Sequence, residues 1–130
     1  MSLIRALSTL CVLFSLNTQA DFKDWKKTDK ILFGTYVGLN VVDVGQTFDL
    51  INCQQTVPNC RYEEKNPIIG KSPSKEKVIL YKALTTGLVY YSLERTPEKN
   101  RVATLLIING IMLGTVLNNH NIGLSFTLRF

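Results

Sequence analysis

The sequence predicts an all-α protein, a small helical bundle of about three apolar membrane-type helices after an N-terminal signal peptide, with a short C-terminal strand-like tail. Three observations carry this. Beyond residue 27 the apolar residues fall into runs close to the roughly 20 residues that a bilayer core demands. The basic residues lie between those runs, at 23–30, 61–77 and 95–101, where Lys and Arg of membrane proteins meet anionic head groups. The chain has 130 residues, enough for one domain at most.

Residues 1–20 read as the signal: Arg5 near the start, an apolar core from Ala6 to Leu16, then Thr18-Gln19-Ala20 before Asp21. Small or neutral residues at the last and third-last positions suit signal peptidase. An uncleaved anchor is the rival reading. Cys11 follows the bulky Leu10, which disfavours lipoprotein processing. Residues 21–130 then form a single helical membrane domain.

That domain opens with a short amphipathic lead, 21–30. A first helix is predicted from Thr28 to about Ile51, followed by a loop from Asn52 to Ser74. A second helix starts near Ser74, since Ser72-Pro73-Ser74 is a good helix start, and runs to Glu94 before Thr96-Pro97. A third starts at Asn100 or Arg101 and reaches Leu117, where Asn118-Asn119-His120-Asn121 is expected to break it. The tail from Ile122 to Phe130 alternates apolar with small or polar residues and ends on Phe, like a barrel's last strand. A barrel needs at least eight such strands, and the unbroken Leu105-Leu106-Ile107-Ile108 does not alternate. A single tail strand or a partner-binding edge is therefore expected.

Polar residues inside the runs carry whatever chemistry exists. On the first helix Asn40, Asp43, Gln46 and Thr47 share one face, with Tyr36 further back. The second helix offers Lys82, Thr85 and Thr86, and the third Asn109. Burying an acid among apolar residues is costly, so that face must meet something polar. An Asp43–Lys82 pair would neutralise both charges; a proton or cation relay through Asp43 is the functional alternative. Asp49 is rotated away and expected at the interface.

Small residues add to this. Gly34 with Gly38, and Gly110 with Gly114, have the four-residue spacing that lets membrane helices approach closely, which makes the first and third helices the expected packed pair. Cys53 and Cys60 flank a segment containing Pro58 and Asn59 and would form a disulfide in an oxidising compartment, with free thiols as the alternative. No metal is assigned: two thiols and the distant His120 make an incomplete zinc set. No cofactor is expected either.

The net charge of +5 raises nucleic acid as a partner, but the basic residues lie between the apolar runs, as the flanks of membrane segments do, so no nucleic acid is expected. The expected partners are the lipid bilayer, a second copy of the chain or an envelope protein.

From Glu63 the chain reads Glu63-Glu64-Lys65-Asn66-Pro67-Ile68-Ile69-Gly70-Lys71-Ser72-Pro73-Ser74. With Asp43-x-x-Gln46-Thr47 upstream, it resembles a family of small uncharacterised bacterial membrane proteins. These carry Asp-x-x-Gln-Thr in a first span, then Glu-x-Asn-Pro-Ile/Leu-Leu-Gly and a nearby Pro-Ser. The matching residues are Asp43, Gln46, Thr47, Glu64, Asn66, Pro67, Gly70, Pro73 and Ser74, with Arg101 and Asn119 further on. The cysteine loop and Ile69 depart from the pattern. The resemblance implies a helical, membrane-located product and leaves the activity open.

Asn66-Pro67 forces Asn66 out of the helical region, while Glu64 and Asn66 can cap a helix end or reach toward Asp43. Were Glu64 to meet Asp43, one carboxyl of that dyad would keep its proton, or the pair would hold a divalent cation. A turn that sets the angle of the second helix is the simpler role. The sequence has no Gly-x-Ser-x-Gly, no His-Glu-x-x-His and no phosphate loop. A non-enzymatic structural or interaction component of the cell envelope leads, in the inner membrane first and the outer membrane or periplasm second. A membrane-embedded enzyme or ion-handling protein using Asp43 and Glu64 is the alternative. One tension stands: a cleaved signal leaves Asp21 outside, so a crossing first helix would put both cysteines in a reducing cytoplasm.

Overall fold

The computed structural model describes residues 21–126. The signal-peptide reading of 1–20 and the last four positions of the tail lie outside the described residues. Among the described residues the regular structure is helical, with no strand: a 3-10 turn (Phe22–Asp24) and three α-helices, α1 (Lys27–Thr56), α2 (Lys75–Arg95) and α3 (Glu98–Asn121).

Proline sets the helix ends. Pro58 holds Val57 in an extended conformation, φ −110° and ψ 116°, so α1 stops at Thr56, a turn and a half beyond the predicted Ile51. Ser74 caps α2, its hydroxyl accepting a hydrogen bond from the Lys77 backbone N–H at 3.2 Å. Pro97 ends α2 by the same effect on Thr96 and starts α3, its carbonyl accepting from the Asn100 and Arg101 N–H groups. The predicted break at Asn118 does not occur. The Asn119 amide is spent on α1, and α3 runs on to Asn121. Gly123 then turns the chain with φ 102°, a conformation for which an L side chain is poorly suited.

α1 is the axis of the bundle. α3 runs parallel beside it: Asp29 meets Arg101, Leu32 meets Asn109, Gln46 meets Val116 and Asp49 meets Ser125. α2 descends antiparallel, placing Lys82 on Asp43 and Val78 beside Phe48. α1 makes its main contacts with α3 and fewer with α2, while the backbones of α2 and α3 approach each other little beyond their turn.

Each end of α1 has its own apolar core. Trp25, Leu93 and Leu105 gather at its start, joined by Phe33 and Tyr90; Phe48, Leu50, Ile51, Ile69, Val78 and Leu124 gather at its finish. The distribution elsewhere is inverted. Asp29, Asn40, Asp43, Gln46, Thr47 and Arg101 are buried, whereas Leu80, Leu84 and Leu88 of α2 and Leu106, Ile107, Ile111 and Leu117 of α3 are each more than half exposed. Among the described residues only α3 is long and apolar enough, by length and composition, to cross a membrane. The polar residues that turn inward on α1, and Lys82 with the charged ends of α2, dilute those helices; three spans do not follow from composition.

Cys53, in the last turn of α1, is disulfide-bonded to Cys60, with Cα atoms 5.8 Å apart. Asn59 between them takes φ 58°, a left-handed conformation that Asn tolerates. The predicted tail strand is not formed over its described part. Ile122 and Gly123 turn, the Ser125 N–H donates to Asp49 Oδ2 at 2.8 Å, and the Phe126 ring lies where a Cβ on Gly45 would stand. The tail is bound to α1 by these contacts, not by strand pairing.

Candidate functional site

Asp43 is the centre of the buried polar face. Its Oδ2 lies 2.5 Å from Lys82 Nζ, and its Oδ1 accepts from the Asn119 side-chain amide at 3.0 Å. Asn119 donates also to Gln46 Oε1 at 3.1 Å, and Gln46 Nε2 donates to the Val116 carbonyl at 3.0 Å. One face of α1 is thus tied to both neighbouring helices through a carboxylate, two amides and an ammonium group. Asn40 and Thr47 turn inward more locally, donating to the carbonyls of Tyr36 and Asp43. The i, i+3, i+4 spacing that lines these residues up also lets each bond to its own helix.

The face opens on a cavity of about 560 Å³, within the range of small-molecule sites. Asp43 and Thr47 line it from α1, Lys82 from α2, Thr115, Asn118 and Asn119 from α3, and Glu63 to Asn66 from the loop. Glu64 and Asp43 share this space but are engaged separately. Glu64 Oε1 accepts from the Asn66 N–H at 2.9 Å, and Asn66 Oδ1 accepts from the Ile68 N–H at 3.0 Å, so the loop is braced by its own side chains. No hydrogen bond joins the two carboxylates among the described residues, and Asp43 already has a cation and an amide. No group of three or more His, Cys, Asp or Glu suited to a metal ion occurs among the described residues.

A second polar clasp sits at the other end of α1, and sequence reasoning missed it. Asp29, placed in the amphipathic lead, is fully buried; its Oδ2 accepts from Arg101 Nη1 at 3.1 Å. Arg101 also donates to the Leu93 and Thr96 carbonyls, and its guanidinium lies 4.9 Å from the Trp25 ring centroid. Asp29 Oδ1 and Trp25 Nε1 are buried without a hydrogen-bond partner among the described residues. Phe22, Phe33 and Tyr90 complete an aromatic cluster around Trp25. Outside it, Lys26 pairs with Glu98 at 2.6 Å, and this hydrogen bond and charge hold the Lys26 ammonium above its ordinary pKa. The signals available were the charges of Asp29 and Arg101, each beside an apolar run, and the place of Arg101 in the motif resemblance.

Asn109 spans the same pair of helices, donating to the Leu32 carbonyl at 2.9 Å. Thr85 bonds within α2, to the Tyr81 carbonyl. The glycines do not sit in the helix contact: a Cβ on Gly34, Gly38, Gly110 or Gly114 would meet nothing within 4 Å. Polar bonds and the two apolar cores join α1 to α3 instead.

Comparison with protein-family models, with curated proteins and with solved structures finds no match to this chain.

Proposed function

We propose that this chain is an exported helical membrane protein, a non-enzymatic structural or interaction component of the cell envelope, with α1, α2 and α3 all in the bilayer. The inverted distribution carries this reading: charges and amides partnered inside, leucines and isoleucines outside. Water would penalise that exposed apolar belt, whereas lipid would penalise the reverse arrangement. The motif resemblance points the same way, since Asp43, Thr47, Glu64, Asn66 and Asn119 converge on one cavity. A second copy or an envelope partner would meet the open faces of Gly34, Gly38 and Gly110.

Alkaline carbonate extraction of membranes tests the placement. The chain should remain in the pellet, and its release to the supernatant would overturn the reading. Labelling of Cys53 and Cys60 in intact cells with an impermeant thiol reagent then fixes the side: labelling only after reduction puts an oxidised loop outside, and labelling only on lysis without reductant puts a reduced loop inside.

The cavity favours a second reading, an ion-handling or enzymatic protein using Asp43 and Glu64. Asp43→Asn separates the two. A structural seam tolerates the neutral isostere, and a relay loses its flux in proteoliposomes.

A further inference from the structure

We propose that the cavity beside Asp43 holds the head group of a zwitterionic phospholipid bearing a primary amine, with its acyl chains lying between α2 and α3. The inference rests on the membrane reading above and adds what the site would take.

The charges of the cavity point to a zwitterion. Three carboxylates, Asp43, Glu63 and Glu64, line it with two ammonium groups, Lys65 and Lys82. Asp43 and Lys82 neutralise each other, and Glu63 is paired with Lys71 at 3.3 Å. What remains on the lining is one carboxylate, Glu64, next in sequence to one ammonium group, Lys65. Such a couple offers a phosphate a cation and an amine an anion, and it gives a purely anionic ligand no net attraction. Lys82 uses one donor on Asp43 and keeps further N–H groups for a phosphate oxygen, a contact made in low dielectric.

The second half of the inference is the route out. A smaller cavity of about 220 Å³ lies between α2 and α3, where Leu88, Val89, Leu93 and Ile108 supply its apolar wall and Ser92, Thr96 and Thr104 the rest. Ile111, on the wall of the polar cavity, is one helical turn from Ile108. A polar chamber with a separate, mostly apolar cavity about one helical turn along α3 matches a head group followed by acyl chains. A free phosphate or a soluble amine would leave that second cavity bare.

The test uses the full chain in detergent, with equimolar phosphatidylethanolamine and phosphatidylglycerol, read by native mass spectrometry. One phosphatidylethanolamine should be retained per copy, about tenfold in preference to phosphatidylglycerol, a difference of about 1.4 kcal/mol. Gly114→Phe should abolish it. Gly114 lines the cavity and has no neighbour within 4 Å of an added Cβ, so a larger side chain there can grow into the space. Glu64→Gln, which keeps the acceptor for Asn66, should remove the preference while leaving lipid bound. Equal retention of both lipids by the wild type, undiminished binding to Gly114→Phe, or displacement by millimolar glycerophosphoethanolamine would each overturn the proposal. A chain that stays in carbonate-washed membranes yet shows no preference sinks this inference alone; a chain released by carbonate sinks the membrane reading with it.

Discussion

The two ends of α1 use the same chemistry to different effect. At its start Asp29 and Arg101 are sealed, 0% and 2% exposed as side chains, beneath Trp25. At its finish Asp43 and Lys82 make the same kind of pair, with Lys82 19% exposed and both on the wall of a cavity. A carboxylate facing a cation is therefore not in itself a mark of function. What separates a lock from a site is whether the pair leaves room for a third party.

The largest break in that comparison should come from Arg101→Met, which strands Asp29 in an apolar interior. A loss of about 3–5 kcal/mol in detergent unfolding is expected, and adding Asp29→Leu should restore most of it. Lys82→Met should cost only about 1–2 kcal/mol, because Asp43 keeps the Asn119 amide and water reaches it through the cavity. Equal costs would erase the distinction between the ends. Next comes Cys53→Ser, which frees the short loop at the open end for about 2–3 kcal/mol and should leave the Asp29 end protected in hydrogen exchange.

Asn119→Ala follows, at about 1–2 kcal/mol, since it removes one donor from both Asp43 and Gln46. Its effect should fall on amide exchange around Val116 and Gln46 before it reaches Leu105. The smallest effect belongs to the Lys26–Glu98 pair outside the sealed end. The folded chain raises the Lys26 pKa above 10.5, so its contribution is whole below that value and is lost as pH rises through the raised one. Lys26→Ala should leave the unfolding midpoint at pH 7 within scatter and flatten its fall under alkaline conditions; a large shift at pH 7 would show that the exposed pair supports the sealed one.

The helices were legible because their signals are local. Ser74 and Pro97 act within a residue or two, and the predicted α2 differs from the observed one by about a residue at each end, whereas the end of α1, predicted at Ile51, lies at Thr56 before Pro58. The course of α3 past Asn118 was not legible, because Asn119 is held by groups on α1 more than 70 residues away. The Asp29–Arg101 pair was hidden for the same reason: an acid and a base beside separate apolar runs look like two interfacial charges until the helices are laid parallel. The glycines misled in the opposite direction. A spacing of four residues marks a face, and nothing local tells whether a neighbour occupies it.

The parallel course of α1 and α3 also orders events in time. Asp29, Asp43 and Asp49 find Arg101, Asn119 and Ser125 at separations of 72, 76 and 76 residues. Among the described helices α1 is synthesised first, and its polar partners on α3 come last. While the nascent chain grows it holds acidic groups whose partners do not yet exist, and closing such long loops is the slow part of folding. Only Lys82 arrives early enough to cover one of them, making α2 a provisional companion that steadies α1 until the last quarter of the chain is made.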